Sequence, residues 1–313
     1  MKKRIYIAGG GGMLGEAFYT HFKNAYELRV TDIDLNTDWL HFLDFRDFDA
    51  YRDEVMAFRP DYLFHLGAHT SLEYCEENPE DCYLTNTTSV EHAVKISNEL
   101  GIPLLFISTA GIFDGTKETY NDWDTPNPAG HYAKSKFLAE KYVQEHKKDH
   151  LICRAGWMMG GGPGKDKKFV GRIMDQLRNG RNKLAVVNDK SGTPTYTHDF
   201  ANNVKCLLQK EVWGLYNMVC GGQTSRLEVA AEMLKVLGLE ESIALQEVSS
   251  SYFDKVYFAP RPDSERLINA KLDQRNLNLM RNWKLCLEEY LRTYYAAYLT
   301  TADPASATAE ALG

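Results

Sequence analysis

Glycines at positions 9, 12 and 15 restrict the beginning of this 313-residue chain to few backbone arrangements. They lie in the stretch IAGGGGMLGEAF, directly after a short apolar run and at the start of a helical pattern. Gly9 allows a tight turn, Gly12 lets the backbone approach a pyrophosphate, and Gly15 lets a helix pack closely on a strand. The spacing therefore predicts the first strand–turn–helix unit of a dinucleotide-binding fold.

Short apolar runs alternate with helical patterns through the first half of the sequence. The apolar runs predict buried parallel strands at 4–9, 27–32, 61–68, 103–109 and 150–156. Helical patterns separate these runs at 13–24, 47–58, 79–100 and 129–147. This repetition predicts an α/β fold with a doubly wound (Rossmann) parallel sheet.

The alternation ends after residue 156, which predicts a second and smaller lobe. LYNMVCGG at 215–222 predicts one more strand of the main sheet. We expect an NAD-binding Rossmann domain from residues 1–158 plus about 195–224. A mostly helical substrate-binding lobe is expected from about 159–194 plus 225–295. The Ala/Thr-rich residues 296–313 lack a core pattern and predict a flexible tail.

Composition argues against several classes of function. The net charge is −7, so nucleic acid is not an expected partner. The six cysteines lack metal-ligand spacing, so no metal site is expected, and they indicate a reducing, cytoplasmic setting. No apolar run reaches the roughly 18 residues of a membrane span, and the first apolar run suits a strand better than a signal peptide.

An aspartate at the end of the second predicted strand indicates the cofactor. Asp32 can accept hydrogen bonds from the ribose hydroxyls of adenosine, and its charge would repel a 2′-phosphate. NAD(H) is therefore favoured over NADP(H), which stays possible. Asp44, in FLDFRD, is placed where a carboxylate could contact the adenine amino group, with an ordinary surface loop as the alternative.

Two tyrosine–lysine pairs have the spacing that places both side chains on one face of a helix. Tyr19 and Lys23 lie on the first helix, which packs on the sheet, so we expect a structural role. Tyr132 and Lys136 follow the fifth predicted strand, which ends at Thr109. Ligands bind at the carboxyl edge of such a sheet, so we expect the second pair to meet Thr109 there.

These residue types suit proton transfer to a carbonyl oxygen. A cation about 4 Å from a phenolate stabilises it by roughly 4 kcal/mol at an effective dielectric of 20. Lys136 is thus expected to lower the pKa of Tyr132 by about two to three units from its usual value near 10. Tyr132 is the expected general acid, and Thr109 would orient the carbonyl.

Longer stretches resemble the extended short-chain dehydrogenase/reductase superfamily, and most closely its dTDP-4-dehydrorhamnose reductase family. They include GAHTSLEYCEENPEDCYLTN, FISTAGIFDGT, NPAGHYAKSKFLAE, RAGWMMGGG and RPDSERLINAKL. The resemblance implies reduction of the 4-keto group of a nucleotide-linked deoxysugar. The implied cofactor contacts are Gly9, Gly12, Met13, Leu14, Gly15, Asp32, Asp44, Phe45, Ala68, His69, Thr70, Tyr132 and Lys136. The implied catalytic residues are Thr109, Tyr132 and Lys136, and the implied substrate contacts are Thr109, Ala110 and Trp157.

The chain departs from the family pattern directly after Thr109. An acidic residue and a tyrosine usually follow the catalytic threonine, where this chain has Ala110 and Gly111. The loss of the ring opens space, so we expect a related nucleotide sugar other than dTDP-4-dehydrorhamnose. The substrate's diphosphate would meet Lys165, Lys168 or Arg261.

Two other functions stay open at this point. A nucleotide-sugar epimerase with tightly held NAD would use the same residues without an external reductant. A regulatory subunit could keep the fold for assembly alone, although an intact Thr109, Tyr132 and Lys136 argues against it. A homodimer through helices 79–100 and 129–147 is also possible.

Overall fold

The computed structural model describes residues 2–299, so from residue 300 onward the predicted tail at 296–313 lies outside it. The strands are β1 Arg4–Ala8, β2 Glu27–Asp32, β3 Leu40–Phe42, β4 Tyr62–His65, β5 Leu104–Thr109, β6 His150–Ala155, β7 Trp157–Met159, β8 Lys183–Val187, β9 Ser191–Gly192, β10 Pro194–Tyr196, β11 Gly214–Asn217, β12 Thr224–Ser225, β13 Ala244–Val248 and β14 Ser264–Glu265. The helices are α1 Met13–Phe22, α2 Phe48–Phe58, α3 Leu72–Glu77, α4 Pro79–Tyr83, α5 Ser89–Leu100, α6 His131–His146, α7 Gly162–Lys165, α8 Phe169–Arg178, α9 Thr197–Gln209, α10 Arg226–Leu237, α11 Ala270–Gln274 and α12 Trp283–Tyr294.

A seven-stranded parallel sheet forms the centre of the molecule, in the order β11-β6-β5-β4-β1-β2-β3. Chain order runs outward from β1 in both directions, which leaves a topological switch beside it. This arrangement confirms the predicted doubly wound fold. None of the helices within residues 2–299 is long and apolar enough to cross a membrane.

Side chains of the central strands alternate between two hydrophobic cores, as the pleat of a strand requires. Ile5 and Ile7 of β1 face the core that contains Phe18 of α1. Tyr6 and Ala8 face the opposite core, in which α2, α5 and α6 pack. Both faces of the sheet are therefore covered, which explains why its strands are apolar throughout.

The second half of the described chain contains more strand than the sequence pattern indicated. Three small sheets, β8 with β13, β7 with β10, and β9 between β12 and β14, accompany helices α8 to α12. The strand predicted at 215–222 ends at Asn217. Beyond it, Val219 N–H donates to Asn269 Oδ1 at 3.0 Å and Cys220 N–H to the Pro194 carbonyl at 2.8 Å. These bonds draw the backbone away from the sheet.

The predicted helix at 79–100 is continuous but changes its winding. A π-helical turn at Leu84–Thr88 separates α4 from α5. Within it Asn86 is fully buried and bonds both backbone groups of His69, with its Nδ2 donating to the carbonyl at 3.0 Å and its Oδ1 accepting from the N–H at 2.8 Å. The wider turn therefore aims an amide at the loop after β4.

Helix α6 is fastened to the sheet by a buried ion pair. Glu140 accepts from Arg154 of β6 at both carboxylate oxygens, at 3.0 Å from Nε and 2.5 Å from Nη2. The two side chains are only 1% and 4% exposed. Such a pair costs desolvation, and it becomes strongly destabilising when one partner is removed.

We expect Glu140→Ala to lower the free energy of unfolding by about 3–5 kcal/mol, because it leaves the Arg154 charge buried and unpaired. Glu27→Ala, which removes the partner of Arg4 in an exposed pair, should cost less than about 1 kcal/mol. The double variant Glu140→Met/Arg154→Leu should recover most of the loss. Urea unfolding measures all three, and equal effects of the two alanine variants would contradict the prediction.

Candidate active site

The glycine loop between β1 and α1 has the shape that its spacing predicted. Gly9 has φ 77°, and a Cβ there would lie 2.2 Å from the Cα of Gly67. A Cβ at Gly15 would lie 2.0 Å from the Gly10 carbonyl oxygen. Gly12 begins α1 without a side-chain cap, and a Cβ there would meet nothing within 4 Å. The helix N-terminus next to Met13 and Leu14 is therefore open to an anion.

Asp32 is fixed beside this loop by its own neighbours. Its Oδ2 accepts from Gly11 N–H at 2.8 Å, and its Oδ1 accepts from Asp34 N–H at 3.0 Å. Lys165, expected near the substrate's diphosphate, instead reaches the same loop. Its Nζ donates to the Gly11 carbonyl at 2.8 Å and to Asn36 Oδ1 at 2.7 Å. A cation from the second half of the chain thus lies on the Asp32 side of the site.

Asp44 is held in a polar network with Arg46 and Asp81. Both of its oxygens accept from Arg46, at 2.6–3.0 Å. The same guanidinium donates to Asp81 at 3.0 Å, and that carboxylate also contacts His69 Nε2 at 2.7 Å and Tyr74 Oη at 2.9 Å. Arg46 is the largest influence on the Asp44 carboxyl and lowers its pKa. The His69 ring is therefore positioned by the Asp81 carboxylate.

The other expected cofactor residues line the loops after β3 and β4. The ring of Phe45 occupies the space in which Gly67 lacks a side chain. Ala68 is half-buried, and the exposed Thr70 accepts a hydrogen bond at its hydroxyl from Lys168 Nζ at 2.9 Å. In the first-helix pair, the Tyr19 ring stacks on Trp39 with centroids 4.3 Å apart, and Lys23 Nζ lies 5.1 Å from the centroid of the Tyr19 ring.

Tyr132 and Lys136 lie on the first turns of α6 and face the end of β5. Glu76 Oε1 accepts from the His131 N–H at 2.6 Å, so a carboxylate caps the beginning of α6. Thr109 ends β5, and its Oγ1 accepts from the Gly111 N–H at 3.1 Å. Its hydroxyl also lies near enough to Tyr132 to influence the pKa of that phenol. Lys136 is 4% exposed, and its Nζ lies 4.2 Å from the centroid of the Phe106 ring.

The expected lowering of the Tyr132 pKa is not found. Burial is the largest influence and raises the pKa of Tyr132 well above its usual value, while the Thr109 hydroxyl lowers it in part and the Glu265 carboxylate raises it further. Burial also lowers the pKa of Lys136 to about 7, against a smaller opposing effect of Glu140. Desolvation of each group, which the spacing of the pair does not reveal, is thus the largest influence on both pKa values.

A small cleft opens beside Tyr132, and its walls come from both halves of the chain. The lining residues are Leu72, Glu76, Gly111, Gly130, Tyr132, Ala133, Pro260, Pro262 and Glu265. Ala110 is 1% exposed and starts the 3₁₀ turn that follows Thr109. A Cβ at Gly111 would be 3.5 Å from both Glu265 Oε1 and Thr109 Oγ1. A Cβ at Gly111 would therefore be in ordinary van der Waals contact with both groups, so the glycine leaves the room of about one carbon at the wall of the cleft.

Trp157 adjoins the cleft through Glu265. Its indole Nε1 donates to Glu265 Oε2 at 2.7 Å, and the Arg226 guanidinium lies 3.7 Å from the centroid of its ring system. A Cβ at Gly192 would collide with the same ring. Neither Glu265 nor Arg226 was a candidate from sequence. RPDSER belongs to a stretch that resembles the family, but neither it nor TSRLEV has a spacing that singles out Glu265 or Arg226.

Four cations gather on the same side of the molecule. Lys168, Arg172, Arg226 and Arg261 lie close enough for their charges to repel one another. Burial first, and this repulsion second, lower the pKa of Lys168 to about 8. Arg172 Nη1 donates to the Tyr257 hydroxyl at 2.5 Å. Two of the three predicted phosphate contacts, Lys168 and Arg261, therefore share one cluster.

Ordinary cation partners account for part of this cluster. Arg261 pairs with Glu73 at 2.7 Å, and Lys168 Nζ donates to the Thr70 carbonyl at 2.9 Å. Within residues 2–299, Arg226 contacts the rings of Trp157 and Phe169 but has no hydrogen-bond or ion-pair partner. In the same residues, no group of three or more His, Cys, Asp or Glu side chains could hold a metal ion. All six cysteines are free thiols.

Comparison with known proteins agrees with this geometry. The family described as RmlD substrate binding domain matches residues 2–296. The dTDP-4-dehydrorhamnose reductase of Salmonella typhimurium is 32% identical over 79% of this chain and 84% of its own. The crystal structure of the Yersinia enterocolitica enzyme of that name superposes with TM-score 0.84 at 31% identity, over 94% of this chain and all of that one. The Bacillus anthracis enzyme of that name, in complex with NADP, gives 0.85 at 26% identity, over 93% and 99%.

The fold and the site define an oxidoreductase of the extended short-chain dehydrogenase/reductase superfamily. The resemblance inferred from sequence is confirmed. The chain belongs to the RmlD family, whose members include the dTDP-4-dehydrorhamnose reductases.

We expect Lys136→Met to stabilise the protein, because the lysine side chain is buried and its pKa is about 7. The unfolded lysine binds its proton up to a pKa of about 10.4. The folded state therefore binds fewer protons between these values, and the wild type gains stability as pH rises through that interval. The stabilising effect of the variant should be a few kcal/mol near pH 6 and should shrink towards pH 10.

Denaturant unfolding of both proteins at a series of pH values measures this difference. Lys134→Met, on the same helix but exposed, is the matched control and should show little change at any pH. A Lys136→Met variant that is no more stable than wild type at pH 6 would contradict the prediction.

Proposed function

We propose that this protein reduces the 4-keto group of a nucleotide-linked deoxysugar, with Tyr132 as the proton donor. The observation that carries the proposal is that Tyr132 lies near enough to Thr109, the last residue of β5, for the Thr109 hydroxyl to influence its pKa. In a doubly wound sheet this carboxyl edge is also the edge at which the glycine loop opens α1. Family membership supports the reaction class. A bound reduced nicotinamide supplies a hydride, and the protein's own groups supply the proton and the orientation.

Tyr132 has the properties of a proton donor in this setting. Its raised pKa keeps the phenol protonated at neutral pH. Thr109 and Tyr132 together would place two hydroxyls against the carbonyl oxygen, which becomes the hydroxyl oxygen of the product once it receives the phenolic proton. Lys136, with a pKa of about 7, carries charge in part of the molecules at neutral pH and would stabilise the phenolate that forms.

The glycine loop supports a dinucleotide at the proposed cofactor site. The uncapped N-terminus of α1 and the open space at Gly12 fit a pyrophosphate. Asp32 supports NAD(H) as the preferred cofactor, since a ribose hydroxyl can donate to it. Lys165 and Asn36 lie beside it, however, and a 2′-phosphate could accept from both, so NADP(H) would also be used.

The cation cluster is our candidate for the substrate's diphosphate. Lys168, Arg172, Arg226 and Arg261 repel one another, and an anion among them would offset that repulsion. Trp157 would then contact the sugar between this cluster and Tyr132. We also propose the division into a domain of residues 1–158 plus about 195–224 and a substrate lobe of about 159–194 plus 225–295.

Assembly and location stay proposals as well. A homodimer through α4, α5 and α6 would be consistent with the exposed Leu84 and Leu138, which are 41% and 48% exposed. The six free cysteines are compatible with a reducing cytoplasm.

Tyr132→Phe should lower kcat for reduction by about 100-fold or more, because the ring is kept and only the transferable proton is lost. Tyr142→Phe on the same helix is the matched control and should retain wild-type rates. Oxidation of NADH is followed by its absorbance with dTDP-, GDP-, CDP- and UDP-linked 4-keto sugars. Undiminished turnover by Tyr132→Phe would remove the proposed proton donor.

The same panel separates the alternatives. A reductase consumes one NADH for each sugar reduced, whereas an epimerase converts its sugar with no added reductant and carries NAD through purification. Clear preference for dTDP-4-dehydrorhamnose would contradict the expectation drawn from Gly111. Failure to act on any sugar ketone, together with activation of a co-purifying enzyme, would favour the regulatory subunit.

Substitutions at the adenosine side should shift cofactor preference in opposite directions. Asp32→Asn should raise kcat/KM for NADPH relative to NADH by about tenfold, because it removes the charge that repels the 2′-phosphate. Lys165→Met should lower the same ratio. The exposed neighbour Lys167 provides the control variant Lys167→Met. An unchanged ratio in Lys165→Met would show that this lysine serves the loop alone.

A further inference from the structure

Two carboxylates, Glu76 and Glu265, line the cleft beside Tyr132. Glu76 accepts from the His131 N–H at the beginning of α6, whereas Glu265 has no part in proton transfer. It lines the cleft with Gly111 and Tyr132. Its charge raises the pKa of Tyr132, so it is close enough to act on the group at which we place the reaction. A carboxylate in this position opposes formation of the phenolate and therefore carries a cost for catalysis.

The two oxygens of Glu265 are in different situations. Oε2 accepts from the Trp157 indole at 2.7 Å, which fixes the side chain. Oε1 lies 3.5 Å from the point that a Cβ at Gly111 would occupy. Among the residues that the structure describes, no donor reaches Oε1. A rigidly held anionic acceptor thus faces the open space beside Gly111.

We infer that Glu265 selects the substrate by accepting a hydrogen bond from a donor substituent, hydroxyl or amino, on the sugar carbon next to the reacting carbonyl. This rests on the proposed function, which places the C4 carbonyl at Thr109 and Tyr132. Gly111 and Glu265 adjoin both residues, so the neighbouring ring position falls between them. Of the two ring carbons flanking C4, C5 carries the ring oxygen and C6, which leaves C3 to carry the donor.

The surrounding charges explain why a carboxylate can be kept there. The Arg226 guanidinium stacks on the Trp157 ring, and its charge attracts Glu265. The Trp157 indole N–H donates to one oxygen of the Glu265 carboxylate. A site built to accept a hydrogen bond discriminates strongly against an analogue without the donor, because its own polar group is then left unpaired. Both a hydroxyl and an ammonium could fill the space, and the ammonium would gain more from the charge.

The test compares nucleotide-linked 4-keto sugars that differ only at C3, bearing hydroxyl, amino or hydrogen. Wild type should show kcat/KM at least about tenfold higher for a donor-bearing sugar than for the 3-deoxy sugar. Glu265→Gln keeps an oxygen for the Trp157 bond but removes the charge, and this preference should fall by about tenfold or more. Glu241→Gln, an exposed exchange in a loop, should leave the preference as in wild type.

The same measurements distinguish an amino from a hydroxyl substituent at C3. A kcat/KM of the wild type that is higher for the amino sugar than for the hydroxyl sugar indicates an amine as the natural substituent, and the reverse order indicates a hydroxyl. A wild-type protein that treats all three sugars alike overturns the inference. So does an equal loss on all three in Glu265→Gln, which would indicate a purely structural role.

Calorimetric binding of the same three sugars separates this inference from the proposed function. A donor-dependent affinity that falls in Glu265→Gln supports the role of Glu265 even if no sugar is reduced, in which case the reductase proposal fails alone. Reduction of the sugars with affinities and rates that ignore the C3 substituent leaves the reductase standing and overturns the inference.

Discussion

The attachment of α6 to the sheet determines where the chemistry of this protein can occur. Tyr132, Lys136 and Glu140 follow one another at four-residue spacing, so they share a face of the helix. The bidentate bond from Arg154 to Glu140 sets the register of that face against β6. Glu76 caps the beginning of α6. These two contacts hold the first ten residues of α6 against the rest of the fold and so position Tyr132 near the end of β5.

The same burial that fixes these groups also sets their charges. Desolvation favours the neutral form of every ionisable group, so it raises the pKa of Tyr132 and lowers the pKa of Lys136. The phenol consequently holds its proton at neutral pH, as a donor must, and Lys136 carries a charge that changes near neutrality. The spacing in the sequence reveals the Tyr132–Lys136 pair but not the desolvation of its side chains. That desolvation depends on Phe106 and other neighbours, which the fold brings against the pair.

Residues that act within one strand–turn–helix unit could be predicted from the sequence. Gly9, Gly12 and Asp32 follow from local spacing, and so does the position of Tyr132 after the strand that ends at Thr109. Glu265 could not be predicted, because it meets Trp157 across 108 residues of sequence. Lys165 was assigned to the wrong side of the site for the same reason, since its contact with Gly11 spans 154 residues. Contacts between residues so far apart in sequence depend on how the segments after β6 fold back onto the sheet. Local patterns of apolar residues and glycines carry no information about that.

This contrast has a consequence for how the site is built. The groups to which we assign proton transfer come from the central sheet and α6, whose order along the chain follows from the fold. The charged groups around them come from segments with no part in the main sheet. Lys165 lies beside the glycine loop, and Glu265 and Arg226 lie beside the cleft with Trp157. Changes in those segments can alter which cofactor or sugar is accepted while the ion pair of α6 stays intact. We infer that the sheet determines which reaction occurs. The segments that fold back onto the sheet determine which cofactor and which sugar are accepted.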